Sequence, residues 1–323
     1  MPEWLIERGI GETRAALVEN GEIIEARIEL EGVVSSGSVM SARLASPGTN
    51  GRNAIVISEG GSEYLLPRGA PGVTQGATLS IEVTRAAIPG HEPWKRPLAR
   101  LTDKAHCLVP PLGDRLQPAR HLPFPARADE LDEAGWDDLI DQAGTGVVAF
   151  AGGELRISAT PAMTLIDVDG YLSPEDLAVL GAAEAARAIR RLDIGGSIGI
   201  DLPTSGSKDA RHAAAAAIDQ VVPHPFERTA VNGFGFVQVV RPRTRASLVE
   251  LAQDRPAFEA RALLRRAAME DPGPKRLVVH PGVADVLERR PAWIAALATQ
   301  VGGSVELRRD PAVPMFAGYA EAI

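Results

Sequence analysis

Two short apolar runs, each ending in aspartate and separated by one helix-length segment, constrain this chain more than any other feature. The first, MTLID, ends at Asp167, and the second, SIGID, ends at Asp201. Between them Ser173, Pro174 and Asp176 make a helix start: an N-cap, a proline at the first helical position and an acidic residue in the first turn. That helix is expected to run to about Leu192, with Gly195 placed to end it. A strand–helix–strand crossover lays its two strands parallel in one sheet. Their C-terminal ends then share the edge where α/β sheets place ligands. Asp167 and Asp201 are expected there as neighbours, or one strand apart. Asp169, two residues beyond Asp167, points the same way.

Carboxylates that converge repel one another and stay ionised cheaply only with a cation between them. Oxygen ligands without His or Cys favour Mg²⁺, or Mn²⁺, over Zn²⁺. Such an ion polarises a phosphoryl oxygen and activates water, so phosphodiester hydrolysis is the chemistry implied. The structural alternative is that each aspartate is only a turn former or a helix N-cap. The DVDG segment is no calcium loop, because its glycine stands at the fourth position and the spaced ligands are missing.

Composition supports a folded protein: 323 residues, 45% hydrophobic and 24% charged, enough for two or three domains at about 100–200 residues each. The net charge of −8 excludes a uniformly basic nucleic-acid binder. Residues 37–101 alone carry a positive balance, 7 basic against 4 acidic side chains, which reads as either a polyanion-binding face or chance. No apolar run reaches the roughly 18–20 residues of a membrane span, and the start MPEWLIERGIGE lacks a signal-peptide pattern. Cys107 is the only cysteine, so an internal disulfide, a CxxC redox pair and a multi-cysteine zinc site are excluded. It is expected as an inert buried thiol in a cytoplasmic protein. His91, His106, His121, His212, His224 and His280 form no metal motif. Of these only His212, with Lys208, follows the second aspartate closely enough to face the site.

Residues 12–30 read as a hairpin about Asn20-Gly21, a preferred type I′ turn. Residues 37–85 read as short strands between glycine-bearing turns, which suggests a small β-barrel. Eight prolines between Pro89 and Pro125 exclude a long helix or central strand there. An acidic helix (129–144), a hairpin (147–159), an alanine-rich helix (208–220) and a strand GFGFVQVV leading into RPRTR complete the middle. The last 75 residues hold a helix (257–270), the strand RLVVHP, two short helices and two further strands.

Three segments together, GGELRISATPAMTLIDVDG (152–170), AAEAARAIRRLDIGGSIGID (182–201) and NGFGFVQVVRPRTRASL (232–248), resemble the catalytic region of the ribonuclease E/G family in order and spacing. Looser likeness extends over about two-thirds of the chain. The resemblance implies a mixed α/β, α+β multidomain fold with a DNase I-like or RNase H-like catalytic part. Its divisions are a hairpin on the catalytic core (1–36), an inserted OB-fold RNA-binding domain (37–101), a proline-rich linker (102–130), the catalytic domain (131–248) and a small C-terminal α/β domain (249–323). It implies Mg²⁺-dependent endonucleolytic cleavage of single-stranded RNA, leaving 5′-phosphate and 3′-hydroxyl ends. Asp167 and Asp201 match the metal-binding aspartates, and Asp169 stands where the family has a metal-shell asparagine. The base-stacking aromatics of the OB-fold fall near Ile55 and Tyr64, of which only Tyr64 is aromatic. Lys95 matches a lysine near the RNA backbone, and Arg241, Arg243 and Arg245 lie in a basic segment suited to phosphates, or to a plain solvated charge run.

The chain also departs from the family. LVELAQDRP follows RPRTRAS without cysteine, so a zinc-linked dimer is not expected, and the oligomeric state stays open. The segment between barrel and catalytic strands is short, the Arg-Thr signature of the 5′-end sensor is absent, and Gly233 stands where the family has arginine. Much of the RNase H-like part is expected to be missing. The competing readings are an RNA-binding protein that kept the scaffold without catalysis, and a phosphodiesterase acting on another nucleotide substrate.

Overall fold

The computed structural model describes residues 1–90, 92–126 and 128–323; His91 lies outside the described residues. The chain divides into two compact units. One comprises Met1–Glu31, Leu112–Ile140 and Leu251–Ile323, and the other Gly32–Pro111 and Asp141–Glu250.

The chain opens with β1 (Glu3–Arg8), β2 (Glu12–Glu19) and β3 (Glu22–Leu30), a β-meander. Asn20 and Gly21 both have positive φ, 53° and 84°, as the type I′ turn between β2 and β3 requires. The next five strands are β4 (Val39–Ser46), β5 (Ala54–Ser58), β6 (Glu63–Leu66), β7 (Thr78–Arg85) and β8 (Leu98–Leu101). They close a barrel in the order β4-β5-β6-β8-β7, consistent with an OB-fold. Alternate residues of β4 (Met40, Ala42, Leu44) join Val56, Leu66 and Ile81 in its core, the period-2 pattern of strands with one buried face.

The proline-rich segment does more than link. After α1 (Leu112–Arg115) it supplies β9 (Ala119–Leu122), which pairs parallel with β1 and completes the four-stranded sheet β3-β2-β1-β9. The expected acidic helix is broken at Ala134 and Gly135 into α2 (Glu130–Glu133) and α3 (Trp136–Thr145). Cys107, expected buried, is exposed. Its segment pairs with Val39 of β4 through backbone bonds, and the thiol is not part of the barrel core.

The central sheet then forms from β10 (Val147–Phe150), β11 (Gly153–Ala159) and β12 (Thr164–Gly170), followed by α4 (Pro174–Arg191), β13 (Gly196–Asp201), α5 (Lys208–Val221), β14 (Glu227–Arg228) and β15 (Phe236–Arg241). Its strand order is β10-β11-β12-β13-β15-β14. Ser173 caps α4 through the N–H of Asp176, with Pro174 first in the helix, as the sequence signals. The helix stops at Arg191, before Gly195, because Leu192 already takes the cap geometry and Asp193 turns left-handed at φ 52°. Gly181 lets α4 lie directly on Val168, where a Cβ would collide with that side chain. This covers the sheet face carrying Ile166 and Val168.

The C-terminal part runs α6 (Leu248–Gln253), α7 (Arg255–Met269), β16 (Lys275–Val279), α8 (Pro281–Glu288), α9 (Pro291–Val301), β17 (Val305–Arg309) and β18 (Tyr319–Ala322). Its sheet, β17-β16-β18, packs on a core that includes Leu263, Leu264, Leu277, Val279, Trp293 and Leu297. The fold is mixed α+β with a closed five-stranded barrel, as the sequence implied.

In the first unit a buried charge network stands out. Arg14 bonds Glu7 at 2.8 Å and also Asp129, lies 3.5 Å from Asp132, and sits over the Trp136 ring. Burial opposes the charge on Arg14, but hydrogen bonds and charge from Glu7 and Asp129 outweigh it and raise its pKa. Asp132 shows the converse: burial, then Asp129 and Asp137, push its carboxyl up to about 6.

Candidate active site

Strand alternation sorts the residues of β12 onto two faces. Thr164, Ile166 and Val168 are buried, while Leu165 and Asp169 are exposed and Asp167 is half-buried. Strand β13 lies parallel to β12, with Ile166 opposite Ile200 and Asp167 opposite Asp201. The two aspartates are therefore in-register neighbours on adjacent strands, about 4.8 Å apart between strand axes. Of the two placements left open by the sequence, the closer one is found. Asp169 follows on the same face of β12, with Glu154 opposite it on β11.

Charge accumulates at this edge. Burial, then the charges of Asp169 and Asp201, raise the Asp167 pKa, and Arg156, opposite on β11, offsets part of the rise. Arg156 is itself paired with Glu154 at 2.5 Å.

The floor beside the aspartates is apolar and tight. Gly199 pairs with Leu165, and a Cβ there would lie 2.8 Å from Phe236 Cζ and 3.1 Å from Leu165 Cδ1. The glycine in SIGID thus makes room for the Phe236 ring. The loop after Asp201 is pinned: Ser205 donates to Glu175 at 3.1 Å, and Arg211 donates to the Ser205 carbonyl at 2.7 Å. Lys208 and His212 are exposed in the first turns of α5.

The donor set suits a hard divalent cation, since an ion of the Mg²⁺ type uses one or two carboxylates and otherwise keeps water or takes substrate oxygens. Asp167 and Asp201 are such a pair. Among the described residues no group of three or more His, Cys, Asp or Glu converges as a metal cage; Asp169 lies two residues beyond Asp167 on the same face of β12.

The other expected RNA contacts lie differently. Tyr64 is 2% exposed and fills the barrel core, and burial raises its hydroxyl pKa. The ring is a core filler and offers no stacking face; Ile55 is half-buried on the neighbouring strand. Lys95 pairs with Glu92 at 3.3 Å and is largely covered. The arginines of RPRTR are structural braces. Arg241 donates to the Ile194 and Ile189 carbonyls at the end of α4, Arg245 pairs with Asp193 at 2.6 Å, and Arg243 pairs with buried Glu250. Phosphate contacts from these three would first have to break those bonds.

Sequence reading passed over the aromatic rings beside the aspartates. Tyr171, just past β12, and Phe234, just before β15, are 83% and 81% exposed. The available signal was NGFGF (232–236), in which the phenylalanine adjoining β15 covers Gly199 and the one two residues earlier stays in solvent.

The structure is thus a mixed α+β protein in which a sheet edge bearing paired carboxylates lies in one unit with a closed barrel. No protein-family model matches the chain. It is similar to ribonuclease G of Escherichia coli strain K12, 33% identical over 110 residues, covering 30% of this chain and 22% of that protein. Ribonuclease G of Shigella flexneri matches equally, and that of Salmonella typhimurium strain SL1344 is 32% identical over 110 residues with the same coverage. The match thus spans about a fifth of the length of these curated relatives, and they support a relationship to the ribonuclease E/G family. No described helix is long and apolar enough to cross a membrane.

Proposed function

We propose that this protein is a Mg²⁺-dependent endoribonuclease that hydrolyses single-stranded RNA to 5′-phosphate and 3′-hydroxyl ends. The observation that carries the reading is the in-register placement of Asp167 and Asp201 on parallel strands, in a chain related to ribonuclease G.

Asp167 and Asp201 would hold the cation, with Mn²⁺ able to replace Mg²⁺. When bound, the ion supplies Lewis-acid stabilisation of phosphoryl charge and a water of lowered pKa. The residues themselves do the rest. Crowding at Asp167 disfavours its ionised form, so the edge is poised to gain from a bound positive charge. Asp169 adds negative charge on the same face and orients water by accepting hydrogen bonds. The Gly199–Phe236–Leu165 floor lays an apolar surface beside the carboxylates. Arg156 lies opposite Asp167 and offers a cation to a phosphate once its bond to Glu154 is exchanged. The barrel, with its excess of basic residues, guides the strand electrostatically.

The test is incubation of the full chain with an end-labelled unstructured RNA in Mg²⁺ or in chelator. Metal-dependent internal cleavage, lost in Asp167→Asn and in Asp201→Asn, is the expected result. RNA binding without cleavage under Mg²⁺ or Mn²⁺ would leave only an RNA-binding protein.

A further inference from the structure

The two most exposed aromatic rings among the described residues lie at the same end of the central sheet. The chain is poor in aromatics, with four Trp, three Tyr and seven Phe. Yet Tyr171 and Phe234 stand 83% and 81% in solvent. Tyr171 follows the last residue of β12, four residues after Asp167. Phe234 precedes β15 by two residues, and the first residue of β15, Phe236, pairs with Asp201. Because β15 runs antiparallel to β13, its start lies at the C-terminal end of β13. Both rings therefore flank the edge that carries the aspartates.

Neither ring hangs on a loose loop. Asn232 Oδ1 accepts from the Phe234 N–H at 2.9 Å and from the Phe236 N–H at 3.1 Å. Thr204 Oγ1 donates to the Phe234 carbonyl at 3.1 Å, and the Leu202 N–H donates to the Gly235 carbonyl at 3.2 Å. These bonds clip the turn to the segment leaving Asp201. Gly235, at φ 93°, allows the close approach, since a Cβ there would strike the Leu202 carbonyl. On the other flank the Tyr171 N–H donates to the Gly152 carbonyl at 3.1 Å, and the capped start of α4 follows two residues later. The backbones are fixed while the rings are bare, so a flat ligand could be received without ordering the chain first.

We propose that Tyr171 and Phe234 are stacking platforms for bases of single-stranded RNA, one on each flank of the phosphate addressed by Asp167 and Asp201. The inference rests on the nuclease reading of this edge and assigns its base-binding positions. Stacking accepts any base, because every base has a π-face. These rings would then supply the contacts that Tyr64, sealed in the barrel, does not offer.

The experiment uses the full chain and an unstructured oligoribonucleotide carrying one 2-aminopurine, with binding followed in chelator by anisotropy and stacking by quenching. Tyr171→Leu and Phe234→Leu should each weaken binding roughly 5- to 150-fold and lose quenching at the matching base position, with thermal unfolding unchanged. Tyr171→Phe and Phe234→Trp should stay within about twofold of the unaltered chain, because they keep a ring. Equal binding by the leucine variants, or no binding by the unaltered chain, overturns the proposal. Cleavage of the same RNA in Mg²⁺ is scored separately. Cleavage with unchanged binding in the leucine variants removes the platforms and keeps the nuclease. Lost binding in those variants without any cleavage by the unaltered chain keeps the platforms and removes the nuclease.

Discussion

Replacing Asp201 by asparagine should make the protein more stable in chelator and less stable in Mg²⁺. Asp201 and Asp167 are direct cross-strand neighbours. Like charges at such positions cost roughly 0.2–1 kcal/mol, and Asp169 on the same face adds to the burden on Asp167. Removing one charge returns that amount, which for a chain of this size moves the unfolding midpoint by about 0.3–1.5 °C. The sign with pH follows from the raised Asp167 pKa. Its contribution is favourable below the ordinary carboxylate range and is lost as pH rises through its folded-state pKa. The gap between Asp201→Asn and the unaltered chain should therefore be absent in acid and open towards neutral pH. Mg²⁺ reverses the order, because a ligand at about 100 times its dissociation constant stabilises by roughly 2.7 kcal/mol, and only the intact pair gains it. Thermal unfolding with and without Mg²⁺, from pH 4 to 8, reads the whole pattern. Equal midpoints in chelator together with equal gains in Mg²⁺ would refute the claim that these carboxylates oppose one another.

Other consequences are independent of the metal. Gly199→Val should cost about 1–3 kcal/mol by overpacking and displace the Phe236 ring, visible as an altered aromatic NMR signature; an unchanged signature would contradict the tight floor. Asp132→Asn should stabilise the chain by up to about 3 kcal/mol above pH 7. Its carboxyl titrates near 6, so the penalty it removes exists only once Asp132 is ionised, and chemical denaturation at pH 4 should show no gain. Tyr64→Ala should cost about 3–5 kcal/mol as a core truncation, whereas Tyr64→Phe should leave RNA affinity unaltered in anisotropy measurements.

The edge proposed as the active site was legible because its signals are local. The Ser173-Pro174 helix start and the apolar runs ending at Asp167 and Asp201 each act within a few residues, as does the Asn20-Gly21 turn elsewhere in the chain, and a helix-length connection between two strands of one sheet makes them parallel. Strand β9 was not legible, since four residues among prolines carry no alternation and their pairing partner β1 lies more than a hundred residues away. The arginines of RPRTR looked like a nucleic-acid face because their partners, Asp193 and Glu250 among them, are brought in by tertiary structure. Tyr64 reads identically as a platform or a core ring. Only barrel closure, which turns alternate residues of β6 inward, decides for the core.

Mn²⁺ titration followed by electron paramagnetic resonance tests the central claim most directly. One bound ion per chain is expected, with affinity falling more than about tenfold in both Asp167→Asn and Asp201→Asn, since even outer-sphere partners of a metal cost that much when removed. Unchanged stoichiometry and affinity in both variants would show that the ion, and the chemistry assigned to it, belongs elsewhere.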